Sequence, residues 1–179
     1  MLSGCHRKEH KAQALLYGSY HRFIYRVIAK YFKDKFSTED VVSLTFEKIF
    51  NNIYTLNKKG EPGLCAWMRT IAVNQSLMYK RKYKELELND RMCEEHEEAY
   101  AFESVEYGTS DELEFLLKII KELPDTQRTV FNLRAIDGYS AKEVCEKLDM
   151  HITACKSNYS RAKIKLQNKI KQQCQNKEK

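Results

Sequence analysis

The sequence predicts an all-α protein made of two small helical domains. Only two prolines and six glycines interrupt the 179 residues, which argues against the turn-rich pattern of an all-β fold. Leu, Lys and Glu are plentiful, and these side chains favour helix over strand. A strongly acidic segment separates two basic ends, and a chain of this length can form one ordinary core or two modest ones.

The first two elements are predicted from apolar residues that recur at the spacing of a helix face. One helix is expected from about Glu9 to Phe32. A second should begin at Ser37 as the N-cap, with Asp40 at the third helical position and Phe36 and Val41 as a hydrophobic staple. The predicted core stripe of this helix is Val42, Phe46, Ile49 and Ile53.

A loop and a third helix complete the first predicted domain, residues 1–84. Asn57–Gly63 contains two glycines and a proline, which favour turns. The core stripe expected in the helix that follows is Leu64, Trp67, Met68, Ile71, Gln75 and Met78. Arg69 and Lys80 fall on the opposite side of that helix, and Arg81 and Lys82 extend the positive charge.

The acidic segment is predicted to be an exposed linker, residues 85–109. Glu85–Glu114 holds twelve acidic residues and one basic residue, a local net charge of −11. The formal net charge of +6 therefore leaves +17 for the rest of the chain. A basic surface of that size suits a polyanion, although a solvated lysine-rich surface would have the same composition.

The second predicted domain, residues 110–179, opens with two short helices and continues into a helix-turn-helix. The short helices are expected at about Ser110 to Leu123 and Asp125 to Asp137, separated by Pro124 and ended by Gly138. Ser140 and Glu143 then have the spacing of a capping box. The helix that they start reaches only Leu148, and a tight turn leads into a longer basic helix.

This basic helix has two different sides at about 100° per residue. Its apolar side holds Cys155, Tyr159, Ala162 and Leu166. Its other side holds Thr153, Lys156, Ser157, Ser160, Arg161 and Ile164. Lys and Arg can bind phosphate or guanine and small hydroxyls permit close approach, so the second side is predicted to read DNA in the major groove. An amphipathic helix that only faces water would show the same pattern, and the short helix and turn before it favour DNA contact.

Other functional classes find little support in the sequence. The six cysteines and five histidines are scattered, with no zinc spacing, no phosphate-binding glycine loop and no H-E-x-x-H motif. We therefore predict no catalytic residue, metal or cofactor. The cysteines are expected to be reduced thiols, with a Cys145–Cys155 disulfide as the alternative. No apolar run is long enough to span a bilayer, which predicts a cytoplasmic protein that does not insert into membranes.

Several segments, taken in order, are similar to two regions of one protein family. The segments Ile120–Arg128, Asp137–Val144 and Lys156–Lys163 resemble region 4 of an extracytoplasmic-function sigma factor of the σ70 family. The segments similar to region 2 are Thr38–Val42 with Phe46, followed by Ala66–Asn74. The resemblance covers about residues 15–170, and the paired arrangement is more specific than either half.

This resemblance implies a transcription initiation subunit that binds core RNA polymerase and directs it to promoters. In the family, the region 4 recognition helix reads the minus-thirty-five element of duplex DNA, the role implied for Thr153, Lys156, Ser157, Ser160 and Arg161. Region 2 melts the minus-ten element and holds a flipped base, whose extrusion costs a few kcal/mol. The residues that correspond to this single-strand role are Asn57, Lys58, Lys59, Arg69, Lys80, Arg81 and Lys82.

The resemblance also implies protein partners. Region 2 of the family docks on the β′ clamp helices of polymerase and region 4 on the β flap, and many members are held by an anti-sigma factor. The residues implied for the β′ surface are Asp40, Leu44, Glu47, Lys48 and Asn51. Departures from the family pattern occur at Ser43, Leu44, Val73, His151 and Asn158.

Two other functions would account for part of these observations. A helix-turn-helix repressor or activator with a helical sensor domain would explain the second half but not Ala66–Asn74. A scaffold or inhibitor that keeps the polymerase surface without melting DNA would explain the departures in the first half. Association with core polymerase and transcription from a promoter would distinguish the three.

Overall fold

The computed structural model describes residues 4–5, 7–56, 61–89 and 111–177, and every regular element within these ranges is helical. The all-α prediction is therefore confirmed. The chain divides into two compact units, Met1–Phe102 and Glu103–Lys179. No helix among the described residues is long and apolar enough to cross a membrane.

Three long helices of the first unit, within the residues that the structure describes, pack on one another. They are α1 (His10–Ala29), α2 (Lys35–Asn52) and α3 (Glu61–Asn89), with a single 3-10 turn (Ile53–Thr55) after α2. Every residue of the stripe predicted for the second helix is buried. The largest fully buried side chains of this unit are Tyr31, Leu16, Ile24, Ile28, Ile49, Ile53, Met68, Val41 and Val73.

Helix α2 begins two residues before the predicted N-cap. Its cap is Asp34, whose carboxylate accepts a hydrogen bond from the backbone N–H of Ser37 at 2.7 Å. The predicted cap at Ser37 is therefore wrong. The predicted staple is also wrong on one side, because Phe36 is 75% exposed. A carboxylate caps a helix as well as a hydroxyl does, and the two candidate caps, Asp34 and Ser37, lie only three positions apart.

Helix α3 begins earlier and ends later than predicted. Glu61–Asn89 includes Pro62 in its first turn, where the missing N–H of proline is tolerated, and it continues five residues into the predicted linker. Residues 57–60 lie outside the described ranges. The predicted stripe is right for Leu64 and Met68, but Met78 is 60% exposed. Because α3 packs on both α1 and α2, small residues occupy its close contacts, and Ala72 is fully buried.

The described part of the second unit, residues 111–177, contains four α-helices. They are α4 (Asp111–Lys121), α5 (Asp125–Phe131), α6 (Ala141–Leu148) and α7 (Ile152–Lys177). Helix α5 continues into one π-helical turn, Asn132–Ile136. The core between α4 and α7 is formed by Ile119, Ile120, Leu123, Ala162 and Leu166, with Phe115 and Phe131 packed against it.

A buried arginine connects the end of α4 to the start of α5. Arg128 is 2% exposed, and its guanidinium donates to the backbone oxygens of Lys121 at 3.0 Å and Leu123 at 3.3 Å. It also donates to the carboxylate of Asp125 at 2.5 Å. Burial lowers the pKa of Arg128, and the nearby Asp125 opposes that shift. The side chain therefore satisfies carbonyls that the end of α4 leaves without intrahelical partners.

Candidate nucleic-acid interface

The helix-turn-helix begins with the predicted capping box. The Ser140 hydroxyl accepts from the backbone N–H of Glu143 at 3.2 Å, and the Glu143 carboxylate accepts from the backbone N–H of Ser140 at 2.8 Å. These hydrogen bonds lower the pKa of Glu143. The capping box is confirmed, and Val144 behind it is fully buried.

The turn between α6 and α7 is fixed by backbone geometry. Asp149 adopts the left-handed conformation with φ of 49°, which ends α6. The N–H of Met150 then donates to the carbonyl of Cys145 at 3.1 Å. At the start of α7 the carbonyl of His151 accepts from the N–H of Cys155 at 3.0 Å. These bonds set the direction in which α7 leaves α6.

Helix α7 has the two sides that the sequence predicts. Cys155, Ala162 and Leu166 are buried, and Tyr159 is half-buried. The predicted DNA-contact residues lie together on the other side: Thr153, Lys156, Ser160 and Arg161 are exposed and Ser157 is half-buried. This side presents cations and hydroxyls, and Ile164, which was predicted on the same side, is also exposed.

Local hydrogen bonds distinguish the polar residues near the start of α7. The Asn158 amide donates to the carbonyl of Ala154 at 2.9 Å, so it is engaged with its own helix. The Thr153 hydroxyl lies 3.0 Å from Nδ1 of His151. Lys156, Ser160 and Arg161 are therefore the side chains best placed to reach a ligand.

A basic and aromatic cluster lies next to this side of α7. The Arg134 guanidinium carbon is 4.3 Å from the ring centre of Tyr159, and the Lys163 ammonium is 5.9 Å from the same ring. The Phe131 ring stacks on Tyr159 with centroids 6.1 Å apart. Arg134 is not among the residues predicted from the sequence. It lies in the π-helical turn before the helix-turn-helix, and the periodicity of α7 gives no information on that turn.

The predicted polymerase-contact residues also lie together. Asp40, Leu44, Glu47, Lys48 and Asn51 are all exposed on α2. Asp40 differs from the other four, since its carboxylate accepts a hydrogen bond from the Tyr79 hydroxyl of α3 at 3.1 Å. The surface therefore combines one exposed leucine with charged and amide groups.

The basic residues predicted on α3 occupy two different places. Arg69 is exposed near the start of the helix, with its guanidinium carbon 5.8 Å from the ring centre of Phe23. Lys80 is half-buried over Phe32 at 5.4 Å, and Arg81 and Lys82 are exposed beside it. The remaining predicted residues, Asn57, Lys58 and Lys59, lie outside the described ranges.

The described residues hold no cluster of three or more histidine, cysteine, aspartate or glutamate side chains that could bind a metal ion. Four cysteines in the described part of the chain are free thiols: Cys5, Cys65, Cys145 and Cys155. Burial raises the pKa of the Cys155 thiol, and contact with Cys145 adds to that shift.

Two family models match the two units separately. Residues 16–85 match the model of σ70 region 2, and residues 114–166 match the model of σ70 region 4. The first match contains α2 and most of α1 and α3, and the second contains the helix-turn-helix.

Individual relatives match along most of the chain. An ECF RNA polymerase sigma-E factor of Haemophilus influenzae is 26% identical over 89% of this chain and 88% of its own length. The RNA polymerase sigma factor SigZ of Bacillus subtilis is 24% identical over 89% of this chain and 87% of its own length. The chain is also similar to a solved structure from Bartonella quintana, that of the sigma factor RpoE in complex with the anti-sigma factor NepR. The sequence identity is 25% and the TM-score is 0.56, and the match covers 92% of this chain and 98% of that chain.

Proposed function

The chain belongs to the extracytoplasmic-function group of the σ70 family, and we propose how its two units divide promoter recognition between them. It is an alternative sigma factor that binds core RNA polymerase and directs transcription initiation. A helix-turn-helix regulator that does not bind polymerase is not favoured, because a region 2 match accompanies the region 4 match.

Residues 110–179 act on the minus-thirty-five element in this proposal. The observation that carries it is the exposed polar side of α7, opposite a buried stripe and held in place by the capped helix α6. Lys156 and Arg161 would contact guanine or phosphate, and Thr153, Ser157 and Ser160 would allow close approach of the helix to the groove. Arg134 and Lys163 would add positive charge beside that contact.

Residues 1–84 act on the minus-ten element in this proposal, and the predicted linker, whose first five residues belong to α3, joins them to the second unit. Arg69, Arg81 and Lys82 are exposed cations on one helix, with Lys80 beside them. Cations placed in this way suit the backbone of a melted strand. Asn57, Lys58 and Lys59 are proposed to contact the same strand.

The exposed side of α2 is proposed to dock on the β′ clamp helices of polymerase. Leu44, Glu47, Lys48 and Asn51 are exposed there. An exposed leucine among polar groups is compatible with a partner surface. The second unit is proposed to contact the β flap.

The chain is also proposed to have a protein inhibitor and to work in the cytoplasm, where promoters and polymerase are found. The solved relative from Bartonella quintana is bound to an anti-sigma factor, and the chain matches that relative over nearly its whole length. We further propose that the chain supplies binding surfaces and no catalytic chemistry of its own, as the family acts on transcription initiation through binding.

Transcription in vitro tests the assignment of α7. Purified core polymerase with the wild-type chain should produce defined transcripts from a library of genomic fragments, and core alone should not. Arg161→Ala should lower promoter-specific RNA by about five- to a hundredfold while leaving core binding intact. Lys171→Ala removes one exposed cation further along the same helix and serves as the matched control. Equal RNA from the Arg161→Ala protein would refute the role of this residue.

A further inference from the structure

Tyr79 of α3 joins three elements of the first unit. Its hydroxyl donates to the Asp40 carboxylate at 3.1 Å and also hydrogen-bonds with Ser37, so it contacts the first two turns of α2. Its ring meets Phe32, which follows α1, edge to face at 5.6 Å between centroids. It also stacks on Tyr83, one turn further along α3, at 4.6 Å. Burial, together with the hydrogen bonds to Tyr83 and Asp40, raises the pKa of Tyr79, so the hydroxyl stays protonated and able to donate.

These contacts lie where two proposed surfaces meet. Asp40 is at one end of the proposed polymerase surface on α2. The residue after Tyr79 is Lys80, which begins the basic run of α3, and the Lys80 ammonium lies over the same Phe32 ring at 5.4 Å. The hydrogen bond from Tyr79 to the Asp40 carboxylate therefore lies directly before that basic run and connects it to α2.

We propose that Asp40 is a positioning residue that acts through Tyr79: it holds the basic end of α3 in place for the promoter strand and is not itself a charge contact with polymerase. The inference rests on the proposed function, since it takes Lys80, Arg81 and Lys82 as DNA contacts. It separates Asp40 from Leu44, Glu47, Lys48 and Asn51, which remain the docking residues.

Charge and hydrogen-bond acceptance can be separated at this position. Asp40→Asn removes the negative charge but keeps an amide oxygen that accepts from Tyr79, whereas Asp40→Ala removes both. Tyr79→Phe keeps the ring and its stacking and removes only the donor. If Asp40 acts by positioning Tyr79, promoter opening depends on its hydrogen-bond acceptor. If Asp40 is a charge contact with polymerase, core binding depends on its negative charge.

Promoter opening and core binding are measured on the same full-length proteins. The promoter is one that wild-type holoenzyme transcribes, opening is followed by permanganate reactivity of unpaired thymines, and affinity for core polymerase is measured by competition with labelled wild-type chain. Asp40→Ala and Tyr79→Phe should each lower opening by about two- to tenfold with core affinity unchanged. The double variant should be no worse than either single one, and Asp40→Asn should restore opening to near wild type.

Matched controls remove the same chemical groups from other positions. Glu39→Gln neutralises the neighbouring exposed carboxylate of α2, and Tyr17→Phe removes a tyrosine hydroxyl from α1. Both should open the promoter like wild type. Thermal unfolding of every variant separates a loss of folded protein, which lowers opening and core binding together, from the expected loss of opening alone.

Two results would overturn the inference. If Asp40→Asn weakened core binding as much as Asp40→Ala while Tyr79→Phe had no effect, Asp40 would be a charge contact with polymerase. If all variants opened the promoter equally, the hydrogen bond would have no positioning role. Failure of the wild-type chain to transcribe any promoter would instead refute the proposed function, so the two failures are distinguishable.

Discussion

Replacing Arg128 with alanine should destabilise the second unit more than replacing any of its surface charges. Two backbone oxygens, those of Lys121 and Leu123, accept from the buried guanidinium. Leaving buried acceptors without donors costs about 1–3 kcal/mol each, so the loss of both donors in Arg128→Ala should lower the free energy of unfolding by about 2–6 kcal/mol. For a domain of this size that corresponds to a fall in melting temperature of at least about 8 °C.

The ion pair with Asp125 should contribute much less than the carbonyl contacts. The Asp125 side chain is 60% exposed, so water screens its charge. Burial lowers the pKa of Arg128 in spite of Asp125, which indicates that desolvation outweighs the attraction between the two charges. Asp125→Asn keeps a side-chain oxygen that can accept, and it should change the free energy of unfolding by less than about 1 kcal/mol.

Urea titration followed by far-ultraviolet circular dichroism measures both variants, and hydrogen exchange locates the change in α4 to α7. The reasoning predicts a large effect for Arg128→Ala, a small one for Asp125→Asn, and faster exchange confined at first to the second unit. A loss from Asp125→Asn as large as that from Arg128→Ala would show that the ion pair dominates. Wild-type stability for Arg128→Ala would show that the carbonyls find other donors.

Four further predictions concern the helix-turn-helix and the polymerase surface. Ser140→Ala should cost about 1 kcal/mol of stability in urea titrations. The capping box should also weaken in acid, because the pKa of Glu143 lies below its ordinary value of 4.5. The contribution of Glu143 to stability is complete above pH 4.5 and is lost as the pH falls through the lowered pKa. A Glu143→Gln protein with the same acid profile as wild type would contradict this. Asn158→Arg adds a cation beside the proposed DNA-contact residues. In anisotropy titrations with promoter DNA, it should steepen the dependence of log affinity on log salt concentration by about 0.9. An unchanged slope would place this position away from phosphate. Glu47→Lys should weaken binding to core polymerase by about tenfold in competition assays, whereas Glu39→Lys, which makes the same charge change on another side of α2, should not. Equal affinities for the two proteins would move the docking surface elsewhere.

The helix-turn-helix could be predicted from the sequence because its signals are local. The capping box spans four residues and the buried stripe of α7 repeats within one helix, so both can be recognised without knowing what packs on them. Asn158 shows the limit of that approach. Its position on α7 is predictable, but the hydrogen bond that its amide makes to Ala154 follows from the rotamer and not from the spacing.

Features that depend on packing between helices could not be predicted. The buried side of α3 includes small residues such as Ala72 and Ser76 because two neighbouring helices approach it closely, whereas a hydrophobicity pattern favours the larger Met78. The contact between Asp40 and Tyr79 joins residues that are 39 positions apart. Arg134 likewise reaches Tyr159 from a different element.

The central claim is that both units of this alternative sigma factor read one promoter, and mapping transcription start sites after overexpression tests it most directly. The account predicts that the induced starts share two sequence elements upstream, at a constant spacing near minus thirty-five and minus ten. Arg161→Ala should remove these starts as a group, because α7 is proposed to read the upstream element. Induced starts that share only the downstream element, or that persist unchanged with Arg161→Ala, would contradict the account.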